Sequence, residues 1–168
     1  MEIQIRKGNC EDTEQFLRLL QEVRENMEHR EWFYLDPPEE VRERMAKGIL
    51  ELWVAMDGDK MAAALDILRP GLEEYNYGYD LDFSKEDLLR VINMDSAAVH
   101  PDYRGRGLQR RLIQQAEKQL QEEGDHILLC TVHPDNHFSL RNVLSQGYEI
   151  RKRDCKYGSV RFFLQKNI

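Results

Sequence analysis

Residues 99 to 111 read Val99-His100-Pro101-Asp102-Tyr103-Arg104-Gly105-Arg106-Gly107-Leu108-Gln109-Arg110-Arg111, with four arginines against one acid. Here a strand-like run turns through glycines into a helical apolar spacing. Cations at a helix N-terminus oppose the macrodipole, which favours negative charge there by about 0.3 to 1 kcal/mol, so the cluster makes sense if an anion sits on that end. A phosphate-bearing ligand is the economical expectation. Gly105 and Gly107 lack a Cβ, which lets backbone N–H groups approach phosphate oxygens while guanidinium groups add charge-assisted hydrogen bonds.

Spacing separates this stretch from two familiar phosphate loops. It contains no G-x-x-x-x-G-K-[ST], and Arg110 stands where a G-x-G-x-x-G fingerprint requires its third glycine. Nucleoside triphosphate and dinucleotide loops are both disfavoured. The bland alternative is an exposed polar turn carrying helix-surface arginines.

Other reactive side chains carry less. His133 and His137 are four apart, but Pro134 lies between them at a strand-to-helix turn, so no metal is expected. His100 precedes proline and either packs or lines a ligand entrance. Cys10, Cys130 and Cys155 are an odd number with no close pair, which indicates neither a disulfide framework nor a zinc site and suits a reducing cytoplasm. Cys130 reads as a small core residue in mid-strand.

The elements around the glycine loop follow from periodicity. Ile3 and Ile5 alternate with Gln4 and Arg6, and the Met1–Arg6 opening reads as a strand rather than a basic-then-apolar secretory signal. Asp12-Thr13-Glu14-Gln15 resembles a capping box before Phe16, Leu19, Leu20, Val23 and Met27 at helical spacing. Asn26 to Leu35 is expected to be irregular, and Pro38 opens a shorter helix through Val41 and Met45.

Ile49 to Met56 and Lys60 to Leu68 flank Asp57-Gly58-Asp59, a strong hairpin signal. Arg69 to Arg90 reads as a long functional connection, closing on a helical turn after the N-cap candidate Ser84. Val91 to Val99 is a strand, Leu108 to Leu120 a helix ended by Gly124, and His126 to Val132 an interior strand. That order implies a right-handed parallel crossover. Asn136 to Gln146 is a short helix, and Tyr148 to Arg153 with Val160 to Gln165 forms a last hairpin around Tyr157-Gly158.

These elements predict an α/β (α+β) fold: one domain over residues 1–168, with a mixed, mostly antiparallel sheet of about seven strands flanked by four helices. A chain of 168 residues with 41% hydrophobic content has ample core material for a single globular domain. The net charge of -7 argues against a general nucleic-acid or anionic-membrane surface, so any anion site must be local. No window reaches the roughly 18 consecutive apolar residues of a spanning helix.

Arg104-Gly105-Arg106-Gly107-Leu108 after Val99-His100-Pro101 resembles the R/Q-x-x-G-x-G/A pyrophosphate loop of the GNAT superfamily of acyl-CoA-dependent N-acetyltransferases. The order of elements is similar to that family over essentially the whole chain. The departure is Gln109, where many members carry Gly or Ala.

The resemblance implies acetyl-CoA as cosubstrate, with its pantetheine arm along the strand carrying Ala97 and Val99 and its pyrophosphate on the backbone of Arg104, Gly105, Arg106, Gly107, Leu108 and Gln109. It places the cofactor in a splay between that strand and the one starting near His126. It likewise assigns Asn136 and Ser139 to the cofactor arm. The family's usual general acid, a tyrosine seven residues after that asparagine, is replaced by Val143.

Asp95 shares a strand face with Asn93, Ala97 and Val99 because alternate residues point the same way. The resemblance makes it the candidate general base; a carboxylate that merely caps a neighbouring loop is the alternative.

The acceptor is expected to be an amine of a small molecule or peptide. Gly71 to Arg90 carries Glu73, Glu74, Asp80, Asp82, Glu86 and Asp87 among Tyr75, Tyr77 and Tyr79, which suits a cationic amine, with Trp32 on the opposite wall. A solvated acidic lid whose tyrosines pack on the body is the competing reading. No acyl-enzyme is expected, since no cysteine or serine has an activating partner.

The rival function is a regulatory CoA-binding module without turnover. An RNA-binding accessory domain is weaker given the charge. The last hairpin offers edge strands for a homodimer.

Overall fold

Strand β1 (Gln4–Lys7) is followed by helices α1 (Thr13–Glu25) and α2 (Pro38–Ala46), then by β2 (Leu50–Asp57) and β3 (Lys60–Leu68). A single turn, α3 (Lys85–Leu88), precedes β4 (Val91–Val99), α4 (Leu108–Glu123) and β5 (Ile127–Val132). Helix α5 (His137–Ser145) leads into the last hairpin, β6 (Glu149–Lys156) and β7 (Ser159–Asn167). This computed structural model describes residues 2–168, so Met1, expected in the first strand, lies outside the described residues.

The seven strands lie in the order β1-β2-β3-β4-β5-β7-β6. β4 pairs with β5 in parallel, and β5–β7, β6–β7 and β1–β2 are antiparallel, which is the mixed sheet expected. Among the described residues five α-helices are present rather than four. The extra one is α3, whose N-cap is the predicted Ser84, with its side chain accepting from the Asp87 amide at 3.2 Å.

Two compact units divide the chain: Met1–Ile67 with Ser96–Ala116, and Leu68–Asp95 with Glu117–Ile168. In the first, α1 buries the face predicted by its spacing, Phe16, Leu19, Leu20 and Val23. Each such side chain withdrawn from water contributes about 1.5 to 3 kcal/mol.

The expected cap of α1 is different. Asp12 caps no amide of α1; its carboxylate accepts the Asn9 amide at 2.9 Å and both Arg6 nitrogens at 2.8 Å, closing a capping box on the short 3-10 turn Cys10–Asp12. Arginine six residues upstream supplies two charged donors to one carboxylate, which outweighs a single helix-cap bond. The Arg6 hydrogen bond holds the Asp12 carboxyl below its ordinary range.

In the second unit Tyr77, Val91, Ile127, Leu129 and Phe163 form a buried cluster with Leu81 and Phe83 packed against it. The β4–β5 register runs from Val91–Ile127 to Asn93–Leu129. Beyond that, β4 continues through Met94 and Asp95 and β5 through Cys130 to Val132, and no further pair joins them among the described residues.

Candidate active site

In the first unit the end of β4 enters the glycine loop under tight control. The His100 amide donates to the Ala62 carbonyl on β3 at 2.8 Å, and the Ser96 amide donates to the buried Asp66 carboxylate at 2.8 Å. Along β4, Met94, Ser96 and Ala98 are buried; on the predicted shared face Asn93 is buried too, while Asp95, Ala97 and Val99 are half-buried.

His100 then caps the 3-10 turn Pro101–Tyr103. Its Nδ1 accepts the Asp102 amide at 3.1 Å, which leaves Nε2 to carry the proton and donate to Glu22 at 3.1 Å. His100 is thereby a structural residue at the loop entrance.

Tyr103 anchors the glycine loop. Its hydroxyl donates to Asp57 at the β2–β3 turn over 2.6 Å, and this bond raises the phenol above its ordinary pKa. The Arg106 guanidinium lies 4.9 Å from the Tyr103 ring centre and the Lys60 ammonium 5.3 Å from it. One ring thus collects two cations beside the loop.

Gly105 and Gly107 have φ of +79° and +68°, and a Cβ at either would meet nothing within 4 Å. Glycine is required there by backbone conformation rather than by crowding. Among the described residues, the amides of Gly105, Arg106, Gly107, Leu108 and Gln109 donate to no acceptor. Leu108 is buried and pins the start of α4, while Arg104 and Arg106 are exposed. Open amides at a helix N-terminus beside exposed guanidinium groups fit a pyrophosphate.

The second unit holds the candidate base. The Tyr77 hydroxyl donates to Asp95 Oδ1 at 3.0 Å and lies 2.9 Å from the Tyr157 hydroxyl. Tyr77 is only 2% exposed and meets Phe163 edge-on at 6.3 Å. Its phenol is held well above the ordinary pKa, chiefly by burial and then by the Asp95 charge.

The connection before β4 is an ordered structure. Asn76 is fully buried; it accepts the Gly78 amide at 2.7 Å and donates to the carbonyls of Gly71 and Leu88 at 2.8 and 3.0 Å. A Cβ on Gly78 would come within 2.8 Å of Leu88. Asn93 accepts the Tyr77 amide at 3.2 Å and donates to the Tyr75 carbonyl at 2.9 Å. Asp80 binds Lys156 at 3.0 Å and its carbonyl takes Lys152 at 2.9 Å.

The acceptor candidates therefore fall apart in character. Tyr77 is a core residue whose hydroxyl serves Asp95. Tyr79 is exposed, with its hydroxyl donating to the Leu72 carbonyl at 2.7 Å. Trp32 belongs to the other unit, half-buried and stacked on His29 at 4.6 Å.

Asn136 caps α5, its Oδ1 accepting from the Ser139 amide at 3.4 Å, and both are half-buried. Val143 is buried on the same helix and offers no acid. His133 Nδ1 accepts the Asp135 amide at 3.1 Å and His137 is exposed. Among the described residues no group of three or more His, Cys, Asp or Glu side chains is placed to hold a metal.

Sequence reasoning missed Tyr157 and Asp57. Tyr157 was legible only as a turn residue beside Gly158, yet a tyrosine at a position that favours asparagine or glycine was itself a signal. Nothing in the spacing links Asp57 to Tyr103.

The Acetyltransferase (GNAT) family model matches residues 14–148. The chain belongs to the GNAT family. Its fold is similar to a GNAT acetyltransferase from Streptococcus pneumoniae, with TM-score 0.76, 17% identity and coverage of 99% of this chain and 100% of that one. It is similar to a ribosomal-protein-alanine N-acetyltransferase from Brucella melitensis, with TM-score 0.72, 20% identity and coverage of 98% and 99%. A PaiA N-acetyltransferase from Thermoplasma acidophilum in complex with coenzyme A aligns with TM-score 0.66, 15% identity and full coverage of both chains at 100%. No curated protein gives a significant match. Within the GNAT frame the arginine-glycine loop lies at the turn from β4 into α4, and no helix among the described residues is long and apolar enough to cross a membrane.

Proposed function

We propose that this GNAT chain transfers the acetyl group of acetyl-CoA to a primary amine of a small molecule or peptide by direct attack. The observation that carries the reading is the loop itself: Gly105 and Gly107 at positive φ, with five consecutive amides from Gly105 to Gln109 open at the start of α4. Arg104 and Arg106 add charge to the same anion site. Ala97 and Val99 are half-buried on β4, whose backbone groups are the candidates to bond a pantetheine arm, and Asn136 and Ser139 are the remaining candidates for contacts to it.

In the reaction the amine nitrogen attacks the thioester carbonyl, the C–N bond forms and the C–S bond breaks. Asp95 takes the proton of the attacking amine. Backbone N–H groups near Val99 would stabilise the oxyanion. Since Val143 is apolar and buried, either another group or water returns a proton to the departing thiolate. The acceptor is a cationic amine drawn by the acids of residues 71–90, with exposed Tyr79 as an aromatic face. The reaction is expected in the cytoplasm, without metal, nucleic acid or membrane, within a single domain spanning residues 1–168 that is free to dimerise through its final hairpin.

Val143 also favours the second reading, a regulatory module that binds CoA without turnover. An amine panel separates them. Amine-dependent release of CoA thiol, falling about 10²- to 10⁴-fold in Asp95→Ala, supports catalysis. Tight CoA binding with no thiol release from any amine supports regulation.

A further inference from the structure

Asp95, Tyr77 and Tyr157 come from three separate segments: β4, the 3-10 turn Tyr77–Leu81 and the β6–β7 turn. Their polar atoms form one chain, 2.9 Å between the phenols and 3.0 Å from Tyr77 to Asp95. The direction of that chain is fixed by chemistry. An ionised carboxylate only accepts, so the single Tyr77 proton is committed to Asp95 and the proton between the phenols must come from Tyr157.

Tyr157 holds this place at a conformational disadvantage. Its φ is +56°, followed by Gly158 at +78°, in a two-residue turn between Lys156 and Ser159. Asparagine, aspartate or glycine suits that backbone better than an aromatic residue. The turn does not explain the tyrosine; the phenol contact with Tyr77 does.

We propose that Tyr77 and Tyr157 are positioning residues for Asp95, fixing the direction of its carboxylate by a donor on Oδ1 that is itself held by a second phenol. The kinetic part rests on Asp95 acting as base; the structural part does not. Charged groups near the chain include Lys156, 5.7 Å from the Tyr77 ring and 5.8 Å from that of Tyr157, and buried Arg161, 5.5 Å from the Tyr157 ring. Asp80 binds Lys156, and Cys130 on β5 is buried and neutral. Donation by Tyr77 stabilises the ionised carboxylate, so its loss must raise the pH at which Asp95 titrates.

The test is a carboxyl carbon NMR titration of Asp95, its resonance assigned by disappearance in Asp95→Asn, in the wild type and in Tyr77→Phe, Tyr157→Phe and Tyr157→Asn. Phenylalanine keeps the ring against Phe163, and asparagine relaxes the turn, so melting temperatures report whether each variant folds. The expected result is a rise of about 0.5 to 1 pH unit in Tyr77→Phe, with a smaller rise in both Tyr157 variants. The acid limb of kcat/KM should move with it. An Asp95 midpoint unchanged in folded Tyr77→Phe overturns the proposal. A moved midpoint combined with undiminished turnover in Asp95→Asn leaves the positioning intact and removes Asp95 as the base.

Discussion

The guanidinium of Arg106 lies 4.9 Å from the centre of the Tyr103 ring, and the hydroxyl of that ring donates to Asp57 at 2.6 Å. The loop arginine is therefore backed by an aromatic ring that is itself tethered to the β2–β3 turn. Tyr103→Leu removes the ring and is expected to weaken acetyl-CoA binding about three- to fivefold, as loss of an exposed cation–π contact would. Tyr103→Phe keeps the ring and should lose less. Equal losses in the two variants would show that the tether, not the ring, is what matters; calorimetric titration reads both.

Gly105→Ala and Gly107→Ala place a Cβ in open space but on a backbone at positive φ. Each should destabilise the fold by about 1 kcal/mol in urea unfolding, through conformation alone. CoA affinity should fall in both, because a loop that relaxes toward negative φ turns its amides away from the ligand.

Cys10 and Cys155 are exposed, whereas Cys130 is buried and its thiol is pushed up to about 12 by desolvation. A thiol reagent at neutral pH should label Cys10 and Cys155 quickly and Cys130 only after denaturation. Rapid labelling of Cys130 in the native protein would contradict its place in the β5 interior.

Arg6 holds Asp12 below its ordinary pKa. The folded value lies under the unfolded one, so the pair's contribution is fully present above about pH 3.9 and is lost as pH falls through the folded value. Asp12→Asn should be less stable than wild type at neutral pH, and the difference should close in acid. Urea midpoints measured across that range check it.

Much of the sheet was legible because its signals are local. The Asp57-Gly58-Asp59 step, the alternation in Lys60–Leu68 and the apolar run Ile127–Val132 each encode their element over a few residues. The glycine loop was legible for the same reason, since Gly105 and Gly107 are needed by the backbone itself. What stayed hidden depends on distant partners. Tyr77 read as a wall of the acceptor site, but Asn93 and Asn76 draw it into the core with Val91 and Phe163. Asp12 read as a helix cap, and a charged partner on β1 claims its carboxylate instead.

Ligand binding at the arginine-glycine loop is tested most directly by calorimetric titration with acetyl-CoA, CoA, ATP and NADH in parallel, repeated on the Arg104→Ala, Arg106→Ala double variant. The expected result is micromolar binding of the two CoA species alone, weakened about 10- to 100-fold in the variant, as loss of charged hydrogen bonds would give. Absence of CoA binding, or equal binding of ATP and NADH, would contradict a CoA pyrophosphate site there.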